Sequence, residues 1–232
     1  MAGGGAGLLQ LPALIFFGLP FSMALGTHKI ASVALGLGAS SKHLGLRDFP
    51  YALAFIVLLS GLPGVVLGAN IILFVPEHLA KIALGILTLG LGCYSISKPA
   101  LGERYSPKRR SARAHIIAVV ALFFFGFLNG SLTSGTGLFV TLFGVLWWGL
   151  DYRRALAVTM LAVGLGWNAT GALALSFLTE IKWSWLPVLI GSAFLGGYLG
   201  SHVAIAKGNR LIKRLFEAST IASGLALIWK AV

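Results

Sequence analysis

From Ala114 to Leu150 the chain runs 37 residues without a charge, with Arg113 before the stretch and Asp151 after it. Two apolar arms, AHIIAVVALFFFGFL and LFVTLFGVLWWGL, flank the hinge Asn129-Gly-Ser-Leu-Thr-Ser-Gly-Thr-Gly137. Crossing a bilayer takes about 20 residues of helix. One span is too short to use the stretch, and two full spans would have to be made from arms of 13 to 15 residues. A re-entrant hairpin fits better: each arm enters about halfway, and the hinge sits near the midplane. Irregular backbone is tolerated there only if it is buried in protein or lines a watery cavity, which is the setting of a substrate site.

The rest of the chain must then be read as membrane protein. Of its 232 residues 57% are hydrophobic and 10% charged, and the mean hydropathy is +0.91, beyond what a soluble domain of this size shows. The net charge of +12 comes from lysines and arginines in short loops between apolar runs, where they set orientation rather than bind nucleic acid. A single cysteine, Cys93, excludes an internal disulfide and a thiolate cluster, and is expected as a small core residue. The apolar N-terminus lacks a basic leader region and is counted as part of the fold.

Beyond an apolar arm from Leu8 to Gly18, spans are expected at Met23–Leu44, Pro50–Phe74 and His78–Ser97. After the central hairpin, others are expected at Arg154–Leu178, Trp183–Ala206 and Leu211–Lys230. The two halves match. Gly18-Leu-x-Phe-x-x-Ala24-Leu25 returns as Gly149-Leu-x-Tyr-x-x-Ala155-Leu156, and Ser60-x3-Gly64-x3-Gly68 as Ser192-x3-Gly196-x3-Gly200. Residues 1–98 therefore read as a first transmembrane unit without the first arm of its hairpin, 99–113 as a basic loop, and 114–232 as a second unit. If each unit has one hairpin and three spans, fourteen basic residues fall on one side and three on the other; if every arm crosses, the split is ten to seven. Only the first arrangement is an orientation signal, and it makes the two units inverted repeats. The expected fold is all-α, polytopic, in the cytoplasmic membrane.

In an inverted pair of hairpins, each second arm begins at membrane depth with free backbone N–H groups and the positive end of its dipole. Two such helix starts converging form an anion site. The candidates are Gly5 and Gly7 in the first unit, and Ser131, Thr133, Ser134, Gly135, Thr136 and Gly137 in the second. Lys29, the basic residue lying deepest within a span, either lends its ammonium to that anion or snorkels to the interface. Asn168 reads as an interhelical hydrogen-bonding residue, His28 as an interfacial or packing histidine, and the Ser60/Gly64/Gly68 stripe and its copy as helix packing. The histidines at 43, 78, 115 and 202 have no metal-ligand spacing, so no metal, cofactor or catalytic residue is assigned.

These residues carry a resemblance. Gly3-Gly-Gly-Ala-Gly7-Leu-x-x-x-Pro12, Gly18 and Ala24-Leu-Gly-Thr27-x-Lys29, repeated in weaker form after residue 130, are similar to the sulfite exporter TauE/SafE family of membrane permeases. The resemblance implies passage of sulfite, sulfonates or related organosulfur anions, and it adds Thr27 to the site. The second half departs from the family pattern, with Thr136 where a glycine is usual and Ala157-Val-Thr159 for Ala-Leu-Gly-Thr.

The leading expectation is a non-enzymatic permease for a small anion, working by alternating access at the repeat interface, its partners the substrate and the lipid bilayer, with a homo-oligomer left open. An anion channel is the first alternative. An intramembrane serine hydrolase using Ser134 and His202 is the second, weakened by Leu132 where a Gly-x-Ser-Gly signature needs glycine.

Overall fold

The structure is a computed structural model and describes residues 10–11, 13–15, 17–43, 49–74, 76–98, 102–108, 111–132 and 135–229. The described residues are helical or connecting, with no strand among them. Helix α1 is Phe21–His43. Helix α2, Tyr51–Ile71, tightens into a 3-10 turn at Ile72–Phe74, and α3 is Glu77–Ile96. The hairpin arms are α4, Ala112–Leu132, and α5, Thr136–Trp148. Helix α6 runs Tyr152–Leu178, with α-helical ends and a π-wound middle, Met160–Trp167. A 3-10 turn, Trp183–Trp185, leads into α7, Leu186–Lys207, and α8 is Asn209–Trp229.

Starts and stops follow local chemistry. Pro50 and Pro76 precede α2 and α3, where a missing N–H costs nothing. Asp151 caps α6 by accepting from the Arg154 amide at 2.8 Å. Gly135 and Gly149 bracket α5 with φ of 80° and 69°, a left-handed conformation that costs glycine least. Helices recur within a few residues of each expected span.

Among the described residues, α2, α4, α6 and the stretch Trp183–Lys207 are long and apolar enough to cross a membrane. The first hairpin arm corrects an expectation. It is 21 residues long rather than 15, about 31 Å at 1.5 Å per residue, and matches α2 in length. Asn129 to Leu132, expected as hinge, continue the helix, because Gly126 and Gly130 there pack on α2. The second arm, 13 residues, is about 20 Å long as expected.

Three contacts organise the bundle: α2 with α4, α1 with α7, and α3 with α8. In the first, a Cβ on Gly64 or Gly68 would stand 2.1 Å from the Phe123 or Phe127 carbonyl oxygen, so the helices run side by side with backbones touching. The packing reading of Gly64 and Gly68 holds. It fails for their copy Gly196, which has open space, while the neighbouring Gly197 packs on the Leu35 carbonyl of α1. Cys93 is also corrected: it is exposed on α3.

The two ends of the bundle differ. At one end, the Ser106 amide donates to the Gly149 carbonyl (2.8 Å), and Tyr152 to Gly102 (2.8 Å). Arg153 donates to Asn209 Oδ1 at 2.9 Å, and the Arg154 guanidinium lies 4.3 Å over the Tyr105 ring. The loops around residues 102–108, 149–154 and 208–210 thus meet. At the other end, the Lys182 amide donates to Thr27 Oγ1 at 3.0 Å, and Phe17 meets Trp185 edge-on.

Candidate functional site

A polar layer is buried where α1, α4, α5 and α6 meet. Lys29 comes from α1, about 12 Å along from its first residue at 1.5 Å per residue. It is fully buried, so it does not snorkel. Its Nζ donates to the Asn129 carbonyl at 2.7 Å, to Asn129 Oδ1 at 2.6 Å and to Asn168 Oδ1 at 3.2 Å. The three N–H bonds of the ammonium are matched by three acceptors, all neutral. Its stem lies against Gly171 of α6, where a Cβ would come within 3.2–3.3 Å of the lysine chain.

Asn129 is the hub. Its Nδ2 donates to Thr136 Oγ1 at 2.9 Å and reaches Asn168 Oδ1 at 3.5 Å, tying the end of α4 to the start of α5. Asn168 Nδ2 donates to the Gly164 carbonyl at 3.2 Å, inside the π-wound stretch. One turn further along α5, Thr141 Oγ1 bonds the Gly137 carbonyl (2.8 Å) and Thr159 Oγ1 (3.0 Å).

A cation held in a low-dielectric interior by neutral dipoles alone keeps a strong field around it. Burying a charge costs several kcal/mol unless a partner offsets it, and an ionisable group at membrane depth that lacks one is a functional-site signal. Next to it, Gly135, Thr136 and Gly137 open α5, the end of that helix at which its dipole is positive. Ammonium and helix start both bring positive potential to this layer, which suits it to an oxyanion.

The sequence candidates separate on this geometry. Lys29 and Thr136 are bridged by Asn129, and Gly135 and Gly137 flank Thr136. Ser131 turns back on its own helix, donating to the Phe127 carbonyl at 2.9 Å. Thr27 is buried but serves the far end of the bundle through the Lys182 amide. Gly5, Gly7, Thr133 and Ser134 lie outside the described residues. His28 packs between Gln10 Oε1 (2.9 Å) and Ser32 Oγ (3.1 Å). His202, paired with Ser134 in the hydrolase alternative, is exposed on α7. Asn129 and Asn168 are not among the sequence candidates. Asn129 falls in the apparent hinge, and only its place on a continuing helix turns it toward Lys29. Asn168 is an interhelical hydrogen-bonding residue as expected, but with Lys29 as its partner.

Comparison with known proteins finds relatives over nearly the whole chain. The sequence model of the family described as Sulfite exporter TauE/SafE matches residues 1–227. A "probable membrane transporter protein" of Haemophilus influenzae is 30% identical over 219 residues, covering 90% of this chain and 81% of the relative. One from a Sinorhizobium species, "probable membrane transporter protein ORF9", is 30% identical over 233 residues, covering 97% and 85%. The Escherichia coli K12 protein named "probable membrane transporter protein YfcA" is 27% identical over 231 residues, covering 97% and 83%. No solved structure matches the chain. With a family match across nearly the whole length and apolar helices long enough to cross a bilayer, the chain belongs to the sulfite exporter TauE/SafE family and is a membrane transporter.

Proposed function

We propose that the protein is a permease carrying a small sulfur oxyanion, sulfite or a sulfonate, across the cytoplasmic membrane, with the Lys29 layer as its binding site. The observation that carries this reading is the Lys29 ammonium, fully buried, bonded only to neutral oxygens and set beside the start of α5. The start of α5 at Thr136 adds the positive end of a helix dipole beside the ammonium. The description of the matching family as a sulfite exporter favours a sulfur oxyanion over other anions. Reconstituted in proteoliposomes, the protein is expected to give saturable sulfite flux, competed by a small sulfonate and not by chloride. Flux that rises linearly with concentration would instead favour a channel, and no sulfite flux at all would remove sulfite as substrate.

Alternating access needs two units that rock against each other, and we infer the inverted repeat for this role. In the two units, α1 corresponds to α6, α2 to α7 and α3 to α8. The contacts exchange accordingly: α1 lies on α7, α2 on α6, and α3 on α8. The inverted arrangement puts residues 102–108 and the α7–α8 turn on one membrane face, and the α6–α7 turn on the other. Once the exposed Cys93 has been replaced by serine, single cysteines at the exposed positions Ser106 and Lys207 are expected to react with a membrane-impermeant thiol reagent from the cytoplasmic face. A cysteine at exposed Glu180 is expected to react from the opposite face. Labelling of Ser106 and Lys207 from opposite faces would rule out one hairpin plus three spans in the second unit.

A further inference from the structure

Resting on the reading of Lys29 as the anion's cation, we infer that Asn168 is its displaceable partner: an internal acceptor that occupies the ammonium when no anion is bound and withdraws when one arrives. All three ammonium N–H bonds are used in this structure, so an entering oxyanion has to replace an acceptor before it can bond Lys29. The three acceptors are not equal. Asn129 holds Nζ with two bonds of 2.7 and 2.6 Å, from backbone carbonyl and side chain of one residue, and is fixed in turn by Thr136. Asn168 gives one bond of 3.2 Å. The longest single bond is the one whose loss costs least.

The backbone around Asn168 gives it somewhere to go. It is the first residue after eight π-wound residues, Met160–Trp167. Such stretches are rare, occur mostly as single turns and collect at functional sites. A π turn holds about one residue more than an α turn. Rewinding part of this stretch to α therefore rotates the C-terminal part of the helix about its axis by roughly 100°, one residue's rotation at 3.6 per turn. Asn168 would swing off Lys29 without breaking the helix. The π-wound stretch is anchored on its other sides: Trp167 fills the space over Gly61 and donates to the Leu58 carbonyl at 2.9 Å, and Gly164 touches Gly36. Movement there would be felt by α1 and α2, the helices that pack on it.

A protein whose binding-competent form requires Asn168 to leave has an apparent affinity reduced by the fraction in which it has left. Removing the competitor should then tighten binding, the opposite of what removing a ligand residue does. Equilibrium binding of sulfite to the purified full-length protein in detergent is the test. Asn168→Ala is expected to bind up to about tenfold more tightly than wild type, since one hydrogen bond to a charged group no longer opposes binding. Asn168→Ser, too short to reach Nζ, is expected to follow it. In the Lys29→Gln background, Asn168→Ala should change nothing, because the competition passes through the ammonium. Weaker or unchanged binding in both position-168 variants, with thermal unfolding as in wild type, overturns the inference. Unchanged binding in Lys29→Gln alone overturns the underlying reading of the site instead. Should Asn168→Ala unfold, the serine variant decides.

Discussion

Lys29→Gln is expected to lower sulfite affinity by about 10- to 100-fold, the worth of a hydrogen bond to a charged group plus its field, while leaving the protein at least as stable as wild type. The two halves of this expectation come from one observation. Lys29 is fully buried and meets only neutral acceptors, so its protonated form carries a desolvation cost that no counter-charge offsets. Glutamine is one bond shorter, offers two N–H groups to the Asn129 oxygens, and carries no charge. Binding should fall because the positive field is gone, and thermal stability in detergent should hold or rise for the same reason. A structural lysine predicts the reverse on both counts. Lys29→Arg should recover part of the affinity, limited by crowding where the lysine stem lies so close to Gly171 that a Cβ there would come within 3.2 Å. A glutamine variant with wild-type affinity would remove Lys29 from the site, and one with wild-type affinity and reduced stability would make it a packing residue.

How far this could be seen in the sequence depended on the range of the forces involved. The spans were legible because proline, glycine and charge punctuate the apolar runs locally: Pro50, Pro76, Asp151 and Gly149 all stand where helices start or stop. The end of α4 was not legible. Asn129-Gly-Ser-Leu132 has the composition of a loop, yet Gly130 and Gly126 fit backbone to backbone against Val65 and Gly61 of α2, and that tertiary contact carries the helix to Leu132. Cys93 failed for a different reason. A helix that is apolar on every side gives no periodicity by which to tell the face toward protein from the face toward lipid. Lys29 was visible as an isolated charge in a span, but its partners lie 100 and 139 residues away, and no local pattern pairs them. The π-wound stretch of α6 has no signature in Met160–Trp167 that separates it from ordinary apolar helix.

The larger structural effect is expected at the contact between α2 and α4, where Gly126→Val should abolish the folded transporter rather than slow it. A Cβ at position 126 would stand 2.2 Å from the Gly61 carbonyl oxygen and 2.8 Å from its Cα, all backbone atoms that no rotamer change can move. In a membrane, water does not drive helices together. Close packing of small residues supplies much of the attraction, so pushing the backbones apart removes the source of the association along with the clash. Overpacking costs about 1–3 kcal/mol in ordinary cores. Here it acts at three further places along the same pair, since Gly64, Gly68 and Gly130 are equally tight, and parting the helices at one loosens all. The displaced helix also carries Asn129, so the Lys29 layer would open with it. Gly196→Ala is the matched control: it belongs to the corresponding stripe in the second half, but its Cβ would meet nothing within 4 Å, and its stability should stay within about 0.5 kcal/mol of wild type. Size-exclusion chromatography and thermal unfolding in detergent should therefore show a monodisperse, wild-type-like Gly196→Ala beside an aggregated or unrecoverable Gly126→Val. A monodisperse Gly126→Val with the wild-type midpoint would mean that α2 and α4 do not touch as described, and the position of Asn129 beside Lys29 would fall with that contact.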